Sequence, residues 1–328
     1  MKVPSVRWGR TELAVPTVSL GTWAFGGANK AGDRDVGWSG QSDADAFAAL
    51  HAAHDAGITH WDTADVYGNG HSESLIGQMW KRGVPRSEIV IATKVGWDKG
   101  GYEQWYHPDM IDAHIDASLR RLQTDVIDVY YLHHCDFGPD DVWLAPAIER
   151  VRRAQRDGKI RFIGLSDWSS ERIARCLKRV DPDVVQPYRN VTDQQWTGTG
   201  LAKMCEELDC GVAFFSPLRH GLLLGKYREP ATFEAGDYRN NDPAFRDAQV
   251  LQRLITHRDR LKADFGERSS EPVLGALVGA LTADTPNACV LLGQRNPKQV
   301  ASAVAGARLM LSPQEAAAVR RYYGDVDI

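Results

Sequence analysis

Eight short, mostly continuous apolar runs recur along this chain, and longer segments of helical period separate them. The runs are TVSLGT (17–22), ITHWDT (58–63), IVIATK (89–94), VIDVYYLH (126–133), IRFIGLS (160–166), DVVQ (183–186), GVAFFS (211–216) and ACVLLG (288–293). Such runs, rich in β-branched residues and without polar alternation, read as strands covered on both faces. Parallel neighbours need a crossover, normally a helix, to return the chain to the same edge. Eight strand–helix units are the number that closes into a (β/α)8 TIM barrel, and 328 residues suit one such α/β domain over 1–328. An open doubly wound sheet is the alternative, but its dinucleotide fingerprint Gly-x-Gly-x-x-Gly occurs nowhere in the chain.

Local signals agree with this alternation. Ser42, with Asp45 three residues on, caps a helix that stops at Gly57. Pro108 opens a helix through Leu122, Pro146 opens one through Asp157, and Ser169 or Ser170 caps ERIARCLKRV. Before the first strand, VRWGRTELAV reads as a short hairpin turning at Gly9 to Thr11. A hydrophobic share of 43% supports a large core, and a net charge of −4 with no basic block argues against nucleic acid or an anionic membrane surface as partner. The five cysteines are scattered and never form Cys-x-x-Cys, so reduced thiols are expected. The opening MKVPSVRWGRTEL contains no apolar signal stretch, and no run approaches the ~18 apolar residues of a membrane helix. A cytoplasmic protein is the expectation.

The polar residues gather at one end of the strands. Thr22, Asp62, Lys94, His133, Ser166, Gln186, Ser216 and Gly293 each fall at a C-terminal strand end, the face on which barrel enzymes build their sites. At that mouth Asp62 and Lys94 are expected to pair, because a lone buried charge is costly. Tyr67, on the loop beyond Asp62 in DTADVYG, lies within reach of the Lys94 ammonium. A nearby cation favours the phenolate and lowers a phenol's pKa from ~10, which makes Tyr67 a usable proton donor.

His133 belongs to HHCD, a run that invites a metal reading. Adjacent residues on an extended chain point in opposite directions, so His133 and His134 do not share one ion, and no metal site is expected. His51 and His54 read as packing or surface residues. GLLLGKY (221–227) resembles a phosphate loop but is one residue short between its glycines, and Tyr227 stands where a magnesium-binding Ser or Thr belongs. Its glycines still allow backbone approach to an anion, with Lys226 as a point charge. GQRNPKQVASAV places Gly293, Arg295 and Gln299 at a strand-to-helix junction suited to a phosphate.

Taken together, LGTWAFGG, HWDTADVYGNGHSESLIG, IATKVG, DVYYLHH, GKIRFIGLSDW, VVQPY, FFSPLRHGLLLGKY and LLGQRNPKQV resemble, in order and spacing, the aldo-keto reductases, over essentially the whole chain. The resemblance implies an NADPH-dependent barrel oxidoreductase that reduces aldehydes or ketones, with NADH used at lower affinity. It implies a catalytic tetrad of Asp62, Tyr67, Lys94 and His133, with Tyr67 as proton donor. It further implies cofactor contacts from Gly21, Thr22, Trp23 and Asp62. Ser166, Asp167 and Gln186 would hold the nicotinamide carboxamide, and Phe215 the ring face. Ser216, Pro217, Leu218, Gly221 and Lys226 fall to the pyrophosphate, and Gly293, Arg295 and Gln299 to the adenosine end.

Three positions depart from the family's pattern. Asp167 replaces the usual Asn, Phe215 replaces a Tyr or Trp, and Ser302 and Ala303 replace an adenine-contacting Glu-Asn pair. Potassium-channel beta subunits resemble the same family yet act as partner-binding modules; they lack the tetrad histidine, whereas this chain has His133. The expected partner is thus a small-molecule carbonyl. Trp23, Phe25, Tyr67, Trp97, Trp105 and Tyr106 are expected to line its pocket, and a broad aldehyde range is the expectation.

Overall fold

Capping chemistry and strand burial together fix the architecture seen in a computed structural model, which describes residues 3–326 and 328. Met1 and Lys2 of the opening stretch lie outside the described residues. In chain order the strands are β1 (Ser5–Arg7), β2 (Ala14–Pro16), β3 (Val18–Gly21), β4 (Lys30–Ala31), β5 (Arg34–Asp35), β6 (His60–Asp62), β7 (Val90–Val95), β8 (Ile127–Leu132), β9 (Ile160–Asp167), β10 (Val184–Pro187), β11 (Gly211–Phe214) and β12 (Ala288–Gly293). Eight of them close into a parallel barrel in the order β3-β6-β7-β8-β9-β10-β11-β12, with β12 pairing back onto β3 through Leu292–Leu20 and Gly293–Gly21.

The helices are α1 (Asp43–Asp55), α2 (His71–Gln78), α3 (Pro108–Leu122), α4 (Leu144–Arg156), α5 (Ser170–Val180), α6 (Gln195–Gly198), α7 (Leu201–Glu207), α8 (Ala248–Phe265), α9 (Pro272–Thr282), α10 (Pro297–Gly306) and α11 (Pro313–Tyr322). Ser42 accepts from the Asp45 amide to cap α1, Ser169 caps α5, and Ser312 with Glu315 forms a capping box on α11. Helix α4 begins at Leu144, two residues before the expected Pro146. A proline in the first turn loses nothing there, because those amides have no intrahelical acceptor. Among the described residues, no helix is long and apolar enough to cross a membrane.

Two cores result. One lies between the barrel and its helices; the other fills the barrel interior with Val129, Tyr131, Val184, Ala213, Cys289 and Leu291. Tyr131 occupies the space beside Gly164, where a Cβ would run into its ring. The N-terminal hairpin β1–β2 plugs the barrel's far end. Trp8, fully buried, donates from Nε1 to the Val212 carbonyl at 3.0 Å. Gly9 turns with φ +55°, and a Cβ there would strike the Gly211 backbone, so the plug requires glycine at that position.

Candidate active site

At the opposite end, the strand termini deliver Asp62, Lys94 and Ser166, and the residues just past them deliver Thr22 and His133. Lys94, fully buried on β7, donates to Asp62 Oδ1 at 2.5 Å and to the Thr63 carbonyl at 2.6 Å. Its Nζ also lies 3.4 Å from the Tyr67 hydroxyl. Burial opposes the Lys94 charge, but Asp62 and Tyr67 outweigh it and hold the ammonium above its ordinary pKa. Gln186 donates from Nε2 to the other Asp62 oxygen at 2.8 Å, so both carboxylate oxygens are engaged.

The Tyr67 phenol departs from the sequence expectation. Burial pushes its pKa up, and the Lys94 cation offsets only part of that, so the hydroxyl is held protonated rather than brought toward neutrality. The His133 ring packs edge-on to Tyr67, with centroids 6.1 Å apart. Burial and Lys94 drive its pKa well below the ordinary value, which leaves a neutral imidazole. His133 Nδ1 is buried without a partner among the described residues.

His134 is a different residue in every respect. Its Nδ1 accepts from the Asp136 amide at 3.1 Å, which fixes Nε2 as the donor to the Gly96 carbonyl. Both ring nitrogens thus serve the fold. Among the described residues no group of three or more His, Cys, Asp or Glu side chains is placed to hold a metal ion.

Several expected cofactor contacts already have protein partners. Thr22 is buried and donates to the Asp62 carbonyl at 2.9 Å, while Ser72 donates to its hydroxyl at 2.8 Å. Ser166 donates to the Gln186 carbonyl at 2.9 Å. Asp167 accepts from the Cys135 amide at 2.7 Å and the Ser169 amide at 2.8 Å. Arg295, half-buried, donates to the Ser39 carbonyl at 2.8 Å, to Gly40 and to Gln41 Oε1 at 2.9 Å. Gln299 accepts from the Arg295 amide at 2.8 Å. The last strand end therefore clamps the loop after β5, and Arg295 reaches a phosphate only by exchanging these partners.

Other features are open. Gly21 and Gly293 pair at the ends of β3 and β12, and a Cβ at Gly293 would meet no atom within 4 Å. Phe215 presents its ring beside Trp168 and Tyr188, with centroids 4.9 and 5.6 Å away. Beyond it, Ser216, Arg219 and His220 are left-handed, at φ 55°, 42° and 58°, and Pro217 and Leu218 lie within this turn. Clustered strain of this kind persists where the surroundings over-determine it, here through the Arg219–Asp242 ion pair at 2.8 Å. Gly221 follows at φ +83°, and the Lys226 Nζ lies 3.5 Å from where its Cβ would sit. An apolar ring face, an open glycine at the end of β12 and a cation beside a left-handed glycine fit a dinucleotide.

Of the six aromatics expected around the substrate, Phe25 and Tyr106 belong to the core, Tyr106 donating to the His134 carbonyl at 2.6 Å. Trp105 packs against that core as well. Trp23 stacks on Tyr67 at 6.0 Å, and Trp97, 45% exposed, lies edge-on to His133 at 6.2 Å. Sequence reasoning missed Trp38, Trp168, His220 and Tyr238, which extend this cluster around Trp23 and Phe215. Trp38, His220 and Tyr238 sit on connections without periodicity and Trp168 in the two-residue link between β9 and α5, so no hydrophobic pattern foretold their convergence. It also missed Glu73, fully buried, which accepts from Thr93 and from Arg121, both at 2.6 Å, and so anchors α2 behind Tyr67.

Comparison with known proteins adds an independent line. The Aldo/keto reductase family model matches residues 17–323. The chain is 31% identical to aldo-keto reductase YhdN of Bacillus subtilis, over 88% of this chain and 84% of that protein. It is also 31% identical to an NADH-specific methylglyoxal reductase of Escherichia coli, over 66% of this chain and 68% of that protein. Among solved structures, a glycerol dehydrogenase of Gluconobacter oxydans superposes with a TM-score of 0.79 at 26% identity, covering 98% of this chain and 95% of that one. With the barrel already closed on a lysine–carboxylate pair beside a tyrosine and a histidine, this chain belongs to the aldo/keto reductase family, oxidoreductases that act on carbonyl substrates.

Proposed function

We propose that this chain, as one barrel domain over 1–328, reduces aldehydes and ketones with NADPH in the cytoplasm, Tyr67 giving the proton. The observation that carries the reading is the Lys94 ammonium, held by Asp62 and Thr63 and set 3.4 Å from the Tyr67 hydroxyl. A bound nicotinamide supplies the hydride. As negative charge grows on the carbonyl oxygen, Tyr67 donates its proton there, and Lys94 stabilises the phenolate left behind. The raised pKa of Tyr67 keeps that proton in place until the oxygen needs it. Neutral His133 offers an N–H to the same oxygen without placing a second cation beside Lys94. Gln186 and Asp62 fix the lysine's direction.

Phe215 would hold the ring face, Gly221 and Lys226 the pyrophosphate, and Gly293, Arg295 and Gln299 the adenosine end. A relative named as NADH-specific means that family membership leaves the cofactor open. Arg295 supports NADPH: its planar fork suits a 2′-phosphate once it gives up Ser39 and Gln41. Trp23 and Trp97 beside the tetrad favour apolar and aromatic aldehydes. The test is cofactor oxidation across a panel of aldehydes, ketones and sugars. Turnover of aromatic aldehydes with NADPH is expected; a chain that binds cofactor yet turns over none of them would instead be a binding module.

A further inference from the structure

Asp167 carries a charge that the mouth of the barrel does not neutralise. Its side chain is 3% exposed and is held by two backbone amides, Cys135 at 2.7 Å and Ser169 at 2.8 Å. Among the described residues no cation pairs with it. The amides and the N-terminus of α5 stabilise a carboxylate without cancelling it. Nearby carboxylates have cationic or imidazole partners, Asp62 with Lys94, Asp65 with His114 and Asp242 with Arg219, and Tyr67 and His133 are neutral. The Asp167 carboxylate has amides in place of such a partner, and it lies where the nicotinamide is expected. Asp167 follows Ser166 on β9, sits in register with Pro187 beside Gln186, and accepts at its carbonyl from the Tyr188 amide at 3.3 Å. The Tyr188 ring in turn packs on Phe215.

A reduced nicotinamide ring is neutral, and the oxidised ring is a cation. The hydride leaves with both electrons for the carbonyl carbon, the proton passes from Tyr67 to the oxygen, and the positive charge stays on the ring. We propose that Asp167 favours the oxidised ring over the reduced one, and so makes the bound cofactor a stronger hydride donor. This rests on the nicotinamide reading above.

Binding of NADP+ and NADPH to the full chain tests it directly, by tryptophan fluorescence and calorimetry. The ratio of the two dissociation constants is compared in wild type, Asp167→Asn and Glu171→Gln, the last an exposed carboxylate on α5. A unit charge in a partly buried site changes such a ratio by about tenfold. Asp167→Asn is expected to shift it by that amount toward the reduced form, and Glu171→Gln to leave it unchanged. Equal weakening of both forms would show a purely structural role and overturn the inference, as would an unchanged ratio. Should Asp167→Asn not fold, Asp167→Ser gives the same comparison. If wild type binds neither form, the nicotinamide reading itself fails and takes the inference with it; if both bind and only the ratio is unmoved, that reading stands and the inference alone fails.

Discussion

Lys94→Met separates what the buried ion pair does for stability from what it does for chemistry. Lys94 and Asp62 are 0% and 4% exposed at the side chain and 2.5 Å apart, so removing the ammonium leaves a buried carboxylate with Gln186 as its remaining side-chain donor. Breaking one partner of such a pair costs about 3–5 kcal/mol, whereas removing both charges costs far less. Lys94→Met should therefore be destabilised by roughly that amount, and Asp62→Asn/Lys94→Met should recover most of it. Catalysis should behave in the opposite way. Neither variant retains the cation proposed to stabilise the Tyr67 phenolate, so kcat should fall by about 10³-fold or more in both. Guanidinium unfolding followed by tryptophan fluorescence gives the stabilities, and cofactor absorbance gives the rates. Recovery of activity together with stability in the double variant would refute the reasoning, because the lysine would then matter only as a structural counterion. Additive stability losses would refute the buried-pair account.

Three further outcomes follow from the geometry. Arg295→Ala should erase most of a modest NADPH preference, about 10-fold, while NADH kinetics change little; a wild type that binds NADH as tightly as NADPH contradicts this. Gln186→Leu frees one Asp62 oxygen and should lower kcat by about tenfold with smaller changes in carbonyl KM, which steady-state kinetics will show; an unchanged kcat means Asp62 needs no such brace. His60, buried inside the barrel, is driven to a pKa of about 3 by burial. Its neutral form is required in the fold, so the unfolded chain binds the extra proton and stability falls as pH drops from about 6.5 toward 3. His60→Gln should flatten that slope by up to about 1.4 kcal/mol per pH unit, read from unfolding at several pH values; an unaltered slope would place the acid sensitivity elsewhere.

The barrel was legible because its strands are buried on both faces and its helices begin at residues that cap. TVSLGT and ACVLLG needed no tertiary information to be read as strands, and they close the barrel against each other at Gly21 and Gly293. Strand ends were less exact where the chain turns sharply: β11 stops at Phe214, because Ser216 is already left-handed. At the site, the Asp62–Lys94 pair followed from the cost of lone buried charges. The sign of the Tyr67 shift did not, since pairwise proximity is readable from spacing and the degree of desolvation is not. The same limit hid the loops. Asp35, Ser39 and Asp237 join segments about two hundred residues apart through hydrogen bonds such as Ser39 to Asp237 at 2.8 Å, and no local pattern announces such a contact. Asp167 stood out in the sequence as a departure, yet only the backbone amides around it show where its charge goes.

Single-turnover reduction by Tyr67→Phe tests the central claim most directly. Enzyme preloaded with NADPH is mixed with an excess of aromatic aldehyde in a stopped-flow instrument, and loss of cofactor absorbance reports the hydride step alone. The variant removes the proposed proton donor and spares the residues proposed to hold the pyrophosphate and adenosine. NADPH binding should therefore stay within a few-fold, while the hydride-transfer rate falls by about 10³-fold or more. A variant that binds NADPH and transfers hydride at the wild-type rate would show that the proton comes from another group and that the Lys94–Tyr67 arrangement is structural.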